Sequence, residues 1–237
     1  MEGSNREVKE YEYLAQYYDT LLGDEEAFSF WLDYIEEEPF TTCLELASGS
    51  AVLAGLMKKK GYDVTASDIC LEMKEAAKTN FDGEYLILNM IDFKLDKKYD
   101  LIVCVVDSLN YLYEEELSSM FKSVYDHLND GGRFIFDTHN PKRLIEFSEE
   151  YIEEGQMDNG ICYQWTINAD LDENTINEHF TFYTDEGMIQ EHHTQNVFDL
   201  KMIEDKLIEN KFAVRMIEDF VEDEKVLFIG KKHEKMV

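Results

Sequence analysis

Thr41–Met73, TTCLELASGSAVLAGLMKKKGYDVTASDICLEM, is the stretch whose reading decides the fold. Cys43-Leu44-Glu45-Leu46 is a short apolar run and reads as a strand. Ala47-Ser48-Gly49-Ser50-Ala51 is a loop of small residues. Val52, Leu53, Leu56 and Met57 then share one side of a helix. That helix runs out on Lys58, Lys59 and Lys60, where cations suit the negative end of the helix dipole, and Gly61 stops it. Tyr62 to Ser67 reads as a second strand, with Asp68 at its end. Strand, small-residue loop, helix, strand and acid form the nucleotide-gripping half of a doubly wound α/β sheet. Such a loop brings backbone close to a ligand, and such an acid can accept hydrogen bonds from ribose hydroxyls.

On the N-terminal side, Val8, Tyr11, Leu14, Ala15, Tyr18, Leu21 and Leu22 recur at helical spacing and predict a helix over 7–22. Gly23-Asp24 is read as the cap of a second helix carrying Phe28, Trp31, Leu32 and Ile35 on one face, and Pro39 ends it. On the C-terminal side, Leu71 to Lys78 reads as a helix. Tyr85–Leu88 and Leu101–Val106 are continuous apolar runs, as a parallel sheet covered on both faces requires. A helix over 114–129 buries Leu117, Met120, Phe121, Val124 and Leu128, with Gly131-Gly132 as its terminator. Arg133–Asp137 is a fifth strand, and Pro141 suits the first position of another short helix. From about residue 155 the period changes to two: Ile161, Tyr163, Trp165 and Ile167 alternate with polar residues, as do Ile176, Glu178, Phe180 and Phe182. An antiparallel hairpin follows, with 188–198 as a third strand. A helix through Leu200, Ile203, Leu207 and Ile208 precedes two closing strands, Phe212–Phe220 and Lys225–Ile229.

The expected fold is therefore α/β, a doubly wound, mostly parallel sheet with an inserted antiparallel roof. The 237 residues fit one domain, and only 2 Pro and 12 Gly argue against linkers. The expected division is 1–38 as a helical lid, 39–150 as the binding core, 151–198 as the insert and 199–237 as the final helix and strand pair. A formal charge of −30 repels phosphate backbones and anionic headgroups, so neither nucleic acid nor membrane is an expected partner. The polar start, the lack of a ~20-residue apolar run and four scattered cysteines without CxxC spacing point to a reduced, cytoplasmic protein.

Several residues could carry chemistry. Glu45, an acid in an apolar strand, could accept from loop amides, from a cationic amine or from local backbone. Asp68 could hold a ribose, cap the next helix, or do both. Asn89-Met90 follows the third strand, where an amide can meet a purine edge and a thioether can pack on the ring; Asn89 is equally a turn residue. Asp107–Leu112 and Asp137–Pro141 follow strands four and five at the carboxyl edge, where open α/β sheets place ligands. His139 is the candidate base by location. Tyr163 and Trp165 could wall a substrate site or simply pack the roof. His192-His193 lack a third ligand at readable spacing, so no metal site is expected.

Taken together, ELASGS, Asp68, ICLEM, NMIDF, YDLIVCVVDSLNYL and GGRFIFDTHNP resemble the class I S-adenosylmethionine-dependent methyltransferases. The likeness is to small bacterial enzymes of the methyltransferase-domain-25 type, which are similar in turn to sugar N,N-dimethyltransferases. It runs from about Tyr11 to the final strands. The resemblance implies S-adenosyl-L-methionine as cofactor and methyl transfer to a small molecule by in-line displacement, in a monomer or homodimer. It implies that Glu45, Ala47, Ser48 and Gly49 hold the methionine part, and that Asp68 takes the ribose. Ile69, Met73, Asn89 and Met90 would flank the adenine, Val106 and Asp107 would line the methionyl group, and Tyr18 would close over it. Asn110, Tyr111, His139, Tyr163 and Trp165 are the expected substrate neighbours. Relatives usually read ELGCGTG, so Ala47 and Ala51 replace two glycines, and Asn89 replaces a charged acceptor. These departures leave a catalytically weakened or inactive cofactor-binding scaffold as the alternative. A nicotinamide oxidoreductase is disfavoured by the residues after strands three and four.

Overall fold

The computed structural model describes residues 11, 13–21, 28–185, 187–221 and 224–234. Two sheets organise it. The larger has seven strands in the order β10-β11-β5-β4-β1-β2-β3. Its centre is β1 (Thr42–Glu45), paired in parallel with β2 (Asp63–Asp68) and β4 (Tyr99–Cys104). β3 (Glu84–Ile87) extends one side, and β5 (Leu128–His139) the other, both parallel. β11 (Lys225–Lys232) lies antiparallel between β5 and β10 (Phe212–Phe220). Parallel order puts the carboxyl ends of β1 to β5 on one rim, and every candidate binding loop with them.

Strand alternation decides which helix each residue meets. Leu44, Ile102, Phe134, Phe136 and Phe228 face α5 (Glu114–His127) and α7 (Leu200–Glu209), which bury Leu117, Phe121, Val124, Ile203 and Leu207. Cys43, Val64, Leu101, Val103 and Ile135 face α2 (Ser29–Ile35) and α3 (Val52–Lys59), with Trp31, Leu53 and Met57. Glu45 has the parity of Cys43, and so it points toward the α3 layer. α5 starts with three glutamates, of which Glu116 accepts from the Tyr113 amide at 2.8 Å, and it ends at His127.

The smaller sheet is antiparallel with four strands, β6-β7-β8-β9. The hairpin of β7 (Cys162–Asp170) and β8 (Thr175–Thr184) and the third strand β9 (Gly187–Asn196) stand as the alternation predicts. β6 (Tyr151–Gln156) is an addition; YIEEGQ has too few apolar residues to show a period, and its pairing with β7 is mostly exposed.

Four local expectations need correction. The described part of the predicted 7–22 helix is a 3-10 turn at Leu14–Gln16 followed by the single-turn α1 (Tyr18–Leu21), because its apolar residues are taken by two different partners, the smaller sheet and the start of α4. Val8, Leu22 and the Gly23-Asp24 cap lie outside the described residues. Helix α4 (Leu71–Ala76) tightens to a 3-10 turn at Ala77–Thr79 rather than running to Lys78. Gly131-Gly132 does not terminate α5: the helix ends at His127, and the pair bends β5, where Gly131 has φ +81° and a Cβ on Gly132 would meet the Asn129 carbonyl oxygen at 2.9 Å. Pro141 sits in the turn before α6 (Arg143–Glu146), not inside it. No helix among the described residues is long and apolar enough to cross a membrane.

Candidate functional site

The site is built at the β1–β2 rim. Gly49 turns the chain at φ +51°, and its amide donates to Asp68 Oδ2 at 3.0 Å. The other carboxylate oxygen accepts from the Cys70 amide at 2.9 Å. Asp68 therefore joins the loop after β1 to the start of α4 while keeping its place on the crevice wall; it is 8% exposed. Burial pushes its carboxyl up, against the pull of those amides. The Tyr85 hydroxyl donates to the Gly49 carbonyl at 2.7 Å and fixes the turn from the other side.

An open crevice begins here. Ala47, Gly49, Asp68, Ile69 and Met73 line it. Asn89, Met90, Val106, Tyr18 and Tyr111 complete its lining. A smaller cavity continues past Gly49 toward Glu45 and Ser48, still bounded by Tyr18 and Val106. Ser48 is turned to local backbone, donating to the Ser67 carbonyl at 3.1 Å. Glu45 is 3% exposed, and its Oε2 has no hydrogen-bond partner among the described residues. Burial pushes its carboxyl up to about 8, opposed by the Ala54 amide. A buried, half-satisfied carboxylate at the end of a crevice suits a ligand that brings a cationic amine.

Asn89 is held as a turn residue: its Oδ1 accepts from the Ile91 amide at 2.9 Å. It lines the crevice nonetheless, so the two readings of this residue coexist. Asp107 is a different case. Its location after β4 is as expected, but it is not among the crevice-lining residues. Its carboxylate pairs with Lys225 and lies 3.5 Å from His139 Nδ1. Despite burial, the His139 ring and the Lys225 ammonium hold Asp107 down to about 2.

His139 is 3% exposed and joins Gln195 Oε1 through Nε2 at 2.7 Å. Burial lowers its pKa. It lies behind Asp107 in a packed network instead of on the crevice wall, which leaves it without an open approach as a base. Asn110 is fully consumed: its amide nitrogen donates to Thr138 Oγ1 (2.9 Å) and the Asn196 carbonyl (2.6 Å), and its oxygen accepts from the His139 amide. Trp165 stacks on Phe180 at 5.3 Å, and the Tyr163 hydroxyl donates to Glu153 at 2.8 Å; both pack the roof and line neither cavity. Among the described residues no group of three or more His, Cys, Asp or Glu is arranged to hold a metal.

Three contacts tie down the N-terminal segment, none of them anticipated. Asp19 accepts from the Ser50 hydroxyl and from Asn80 Nδ2 (2.6 Å), tying α1 to the loop after β1. Glu191 on β9 accepts from the amides of Tyr13 and Leu14. The Tyr11 and Tyr111 hydroxyls meet at 2.5 Å. Glu191 had a visible trace in the sequence, since it occupies a position of inward parity on its strand.

A parallel seven-stranded sheet with an antiparallel last strand, an open carboxyl rim and a carboxylate at the end of the second strand is the fold of the class I S-adenosylmethionine-dependent methyltransferases. The comparisons agree. Residues 43–132 match the methyltransferase domain family. A protein of Geobacillus sp. (strain WCH70), named as a methyltransferase, is 25% identical over 208 residues, covering 80% of this chain and 83% of its own. A crystal structure of an S-adenosylmethionine-dependent methyltransferase from Clostridium acetobutylicum ATCC 824 matches with TM-score 0.78 and 22% identity, covering 93% of this chain and 98% of that one. The sugar N-methyltransferase KedS8 from Streptoalloteichus sp. ATCC 53650 matches with TM-score 0.78 and 18% identity, covering 92% of each. The chain is similar to these methyltransferases over most of its length and shares their fold.

Proposed function

We propose that this enzyme methylates a small-molecule acceptor by in-line displacement at the junction of the crevice and the roof. The observation that carries the reading is a pair of adjoining cavities that share Tyr18, Ala47, Gly49 and Val106, one lined by Asp68 and Met90 and the other by Glu45, whose Oε2 has no partner among the described residues. Their lining suits a ligand with an aromatic base, a hydroxylated sugar and a charged amino acid end. When bound, the cofactor supplies a methyl group on a sulfonium, already a good leaving group. The protein's task is alignment. Asp68 is offered to the ribose hydroxyls, Glu45 to the amino group, and Met90, Ile69 and Met73 to the adenine faces. Tyr18 covers the middle of the crevice, where an aromatic face favours a cation. The four segments then divide the labour, with 1–38 as lid, 39–150 as cofactor half, 151–198 as roof over the acceptor and 199–237 completing the sheet. A small acceptor is supported by the printed activity of KedS8, a sugar N-methyltransferase.

Calorimetry with S-adenosylhomocysteine is the test. The wild-type protein should bind it, and Asp68→Asn should weaken binding at least tenfold with an unchanged circular dichroism spectrum. No binding to the wild type at millimolar ligand would end the proposal.

A further inference from the structure

The turn after β4 is bent against the preference of its own residues. Val106 stands at φ +60° and Asp107 at φ +57°. A positive φ is uncommon for a residue with a Cβ, and for a β-branched one it is an outlier. Such a conformation persists only where its surroundings impose it. The two neighbours of Asp107, Val106 and Ser108, line both cavities, whereas Asp107 lines neither. The shape of this turn therefore decides what the chain presents where the two cavities adjoin.

Asp107 is the residue that is gripped. Its amide donates to Asp137 Oδ1 at 3.2 Å, and its carbonyl accepts from the Asn110 amide at 2.9 Å. Its carboxylate accepts from the Lys225 ammonium and lies 3.5 Å from His139 Nδ1. Lys225 also lies 3.8 Å from Asp137 Oδ2, on the same carboxylate that takes the Asp107 amide, so one cation ties both ends of the grip. It reaches them from the first position of β11, opposite His139 on β5, and is 7% exposed. A cation buried between two carboxylates is a costly way to fill a core, since apolar side chains of like volume commonly do it as well or better. Apolar side chains, however, could not hold a backbone amide against strain.

We propose that Lys225 is a positioning residue for the cofactor: it holds Asp107, and through it the strained turn, so that Val106 and Ser108 stay on the crevice. This rests on the methyl-transfer reading above. The Ser108 hydroxyl donates to the Val105 carbonyl at 2.8 Å and closes the turn locally, but nothing in that bond turns Val106 to a positive φ. The force comes from the closing strand pair, through a lysine that itself lines neither cavity. Glycine adopts a positive φ at no steric cost. A turn with glycine in place of Val106 would therefore keep its shape without the lysine.

The test is a double-mutant cycle read by S-adenosylhomocysteine affinity. Lys225→Met should weaken binding at least tenfold, with an unchanged circular dichroism spectrum. Val106→Gly removes a lining side chain and should weaken binding by itself. Added to Val106→Gly, Lys225→Met should weaken binding less than threefold further. A lysine that served stability alone would cost the same factor in both backgrounds. Where Lys225→Met leaves too little folded protein, Asp107→Asn/Lys225→Met takes its place in both backgrounds, because it does not strand the Asp107 charge. Equal losses in the two backgrounds, no loss in either, or failure of both variants to fold overturns the proposal. No binding by the wild type would instead strike the methyl-transfer reading, and this proposal with it.

Discussion

Ala47 and Ala51, which stand where relatives usually have glycine, adopt φ +49° and +58°. The left-handed region is therefore required at both positions, and each Cβ costs roughly 1–2 kcal/mol there. Glycine loses more entropy on folding, about 0.5–1 kcal/mol, which offsets part of the gain. The double variant Ala47→Gly/Ala51→Gly should be about 1 kcal/mol more stable, a melting rise of roughly 2–4 °C. An unchanged or lower melting temperature would show that the alanine methyls contribute packing that outweighs the strain. The alanines thus burden folding without removing the turn that Gly49 and Asp68 complete. Single residues were legible where they end parallel strands: Asp68, Gly49 and Met90 all reach the crevice because strand ends converge on one rim. Asp107 was legible in place but not in partner, since Lys225 lies 118 residues away in the chain. His139 shows the opposite fault: its loop position suggests a base, although packing buries it.

Among the elements, α2 has its carboxyl end held from outside. The Arg133 guanidinium on β5 donates to the carbonyls of Tyr34 (3.3 Å), Ile35 (2.9 Å) and Glu38 (2.7 Å). These are the orphan acceptors that every helix end leaves, and a cation there also meets the helix dipole favourably. Arg133→Met keeps the stem and removes all three bonds. The variant should lose about 2–3 kcal/mol by urea unfolding, with S-adenosylhomocysteine affinity unchanged. A loss below half a kcal/mol would mean that water replaces the guanidinium at no cost. Elements with a strong period were readable: the core strands, α3, α5 and α7 lie where their apolar spacing predicts. The N-terminal segment and β6 were not. Their residues satisfy partners distant in sequence, as Glu191 does for Tyr13 and Leu14, so local spacing carries little information about them.

Across the whole molecule, buried carboxyls set the response to pH. Burial raises Glu45 to about 8 and also raises Asp137 and Asp68. A raised carboxyl pKa means that the folded state binds more protons than the unfolded one, so its stabilisation is complete at low pH and is lost as pH climbs through the folded value. His139 acts in the other sense: burial lowers it, and stability falls as pH drops below its ordinary value of 6.5. Asp107, held near 2, matters only in stronger acid. Because these raised carboxyls outnumber His139, melting temperature should decline from about pH 5 to about pH 8.5. Glu45→Gln should flatten that decline, and 0.5 M salt should not, because screening reaches exposed charges far better than this buried one. A profile that is flat, or that rises above pH 7, would contradict the assignment.

β11 fills the gap between β5 and β10 and stacks Phe228 on Phe136 at 5.2 Å, and it starts with the lysine that Asp107 depends on. A nascent chain leaves the ribosome in the opposite order. Until residues 225–232 have emerged, β5 presents a bare aromatic edge and Asp107 stays unneutralised. Quality control in the cell can therefore recognise an unfinished copy by that edge, and a translation stall just before Lys225 would yield a sticky fragment rather than a weak enzyme.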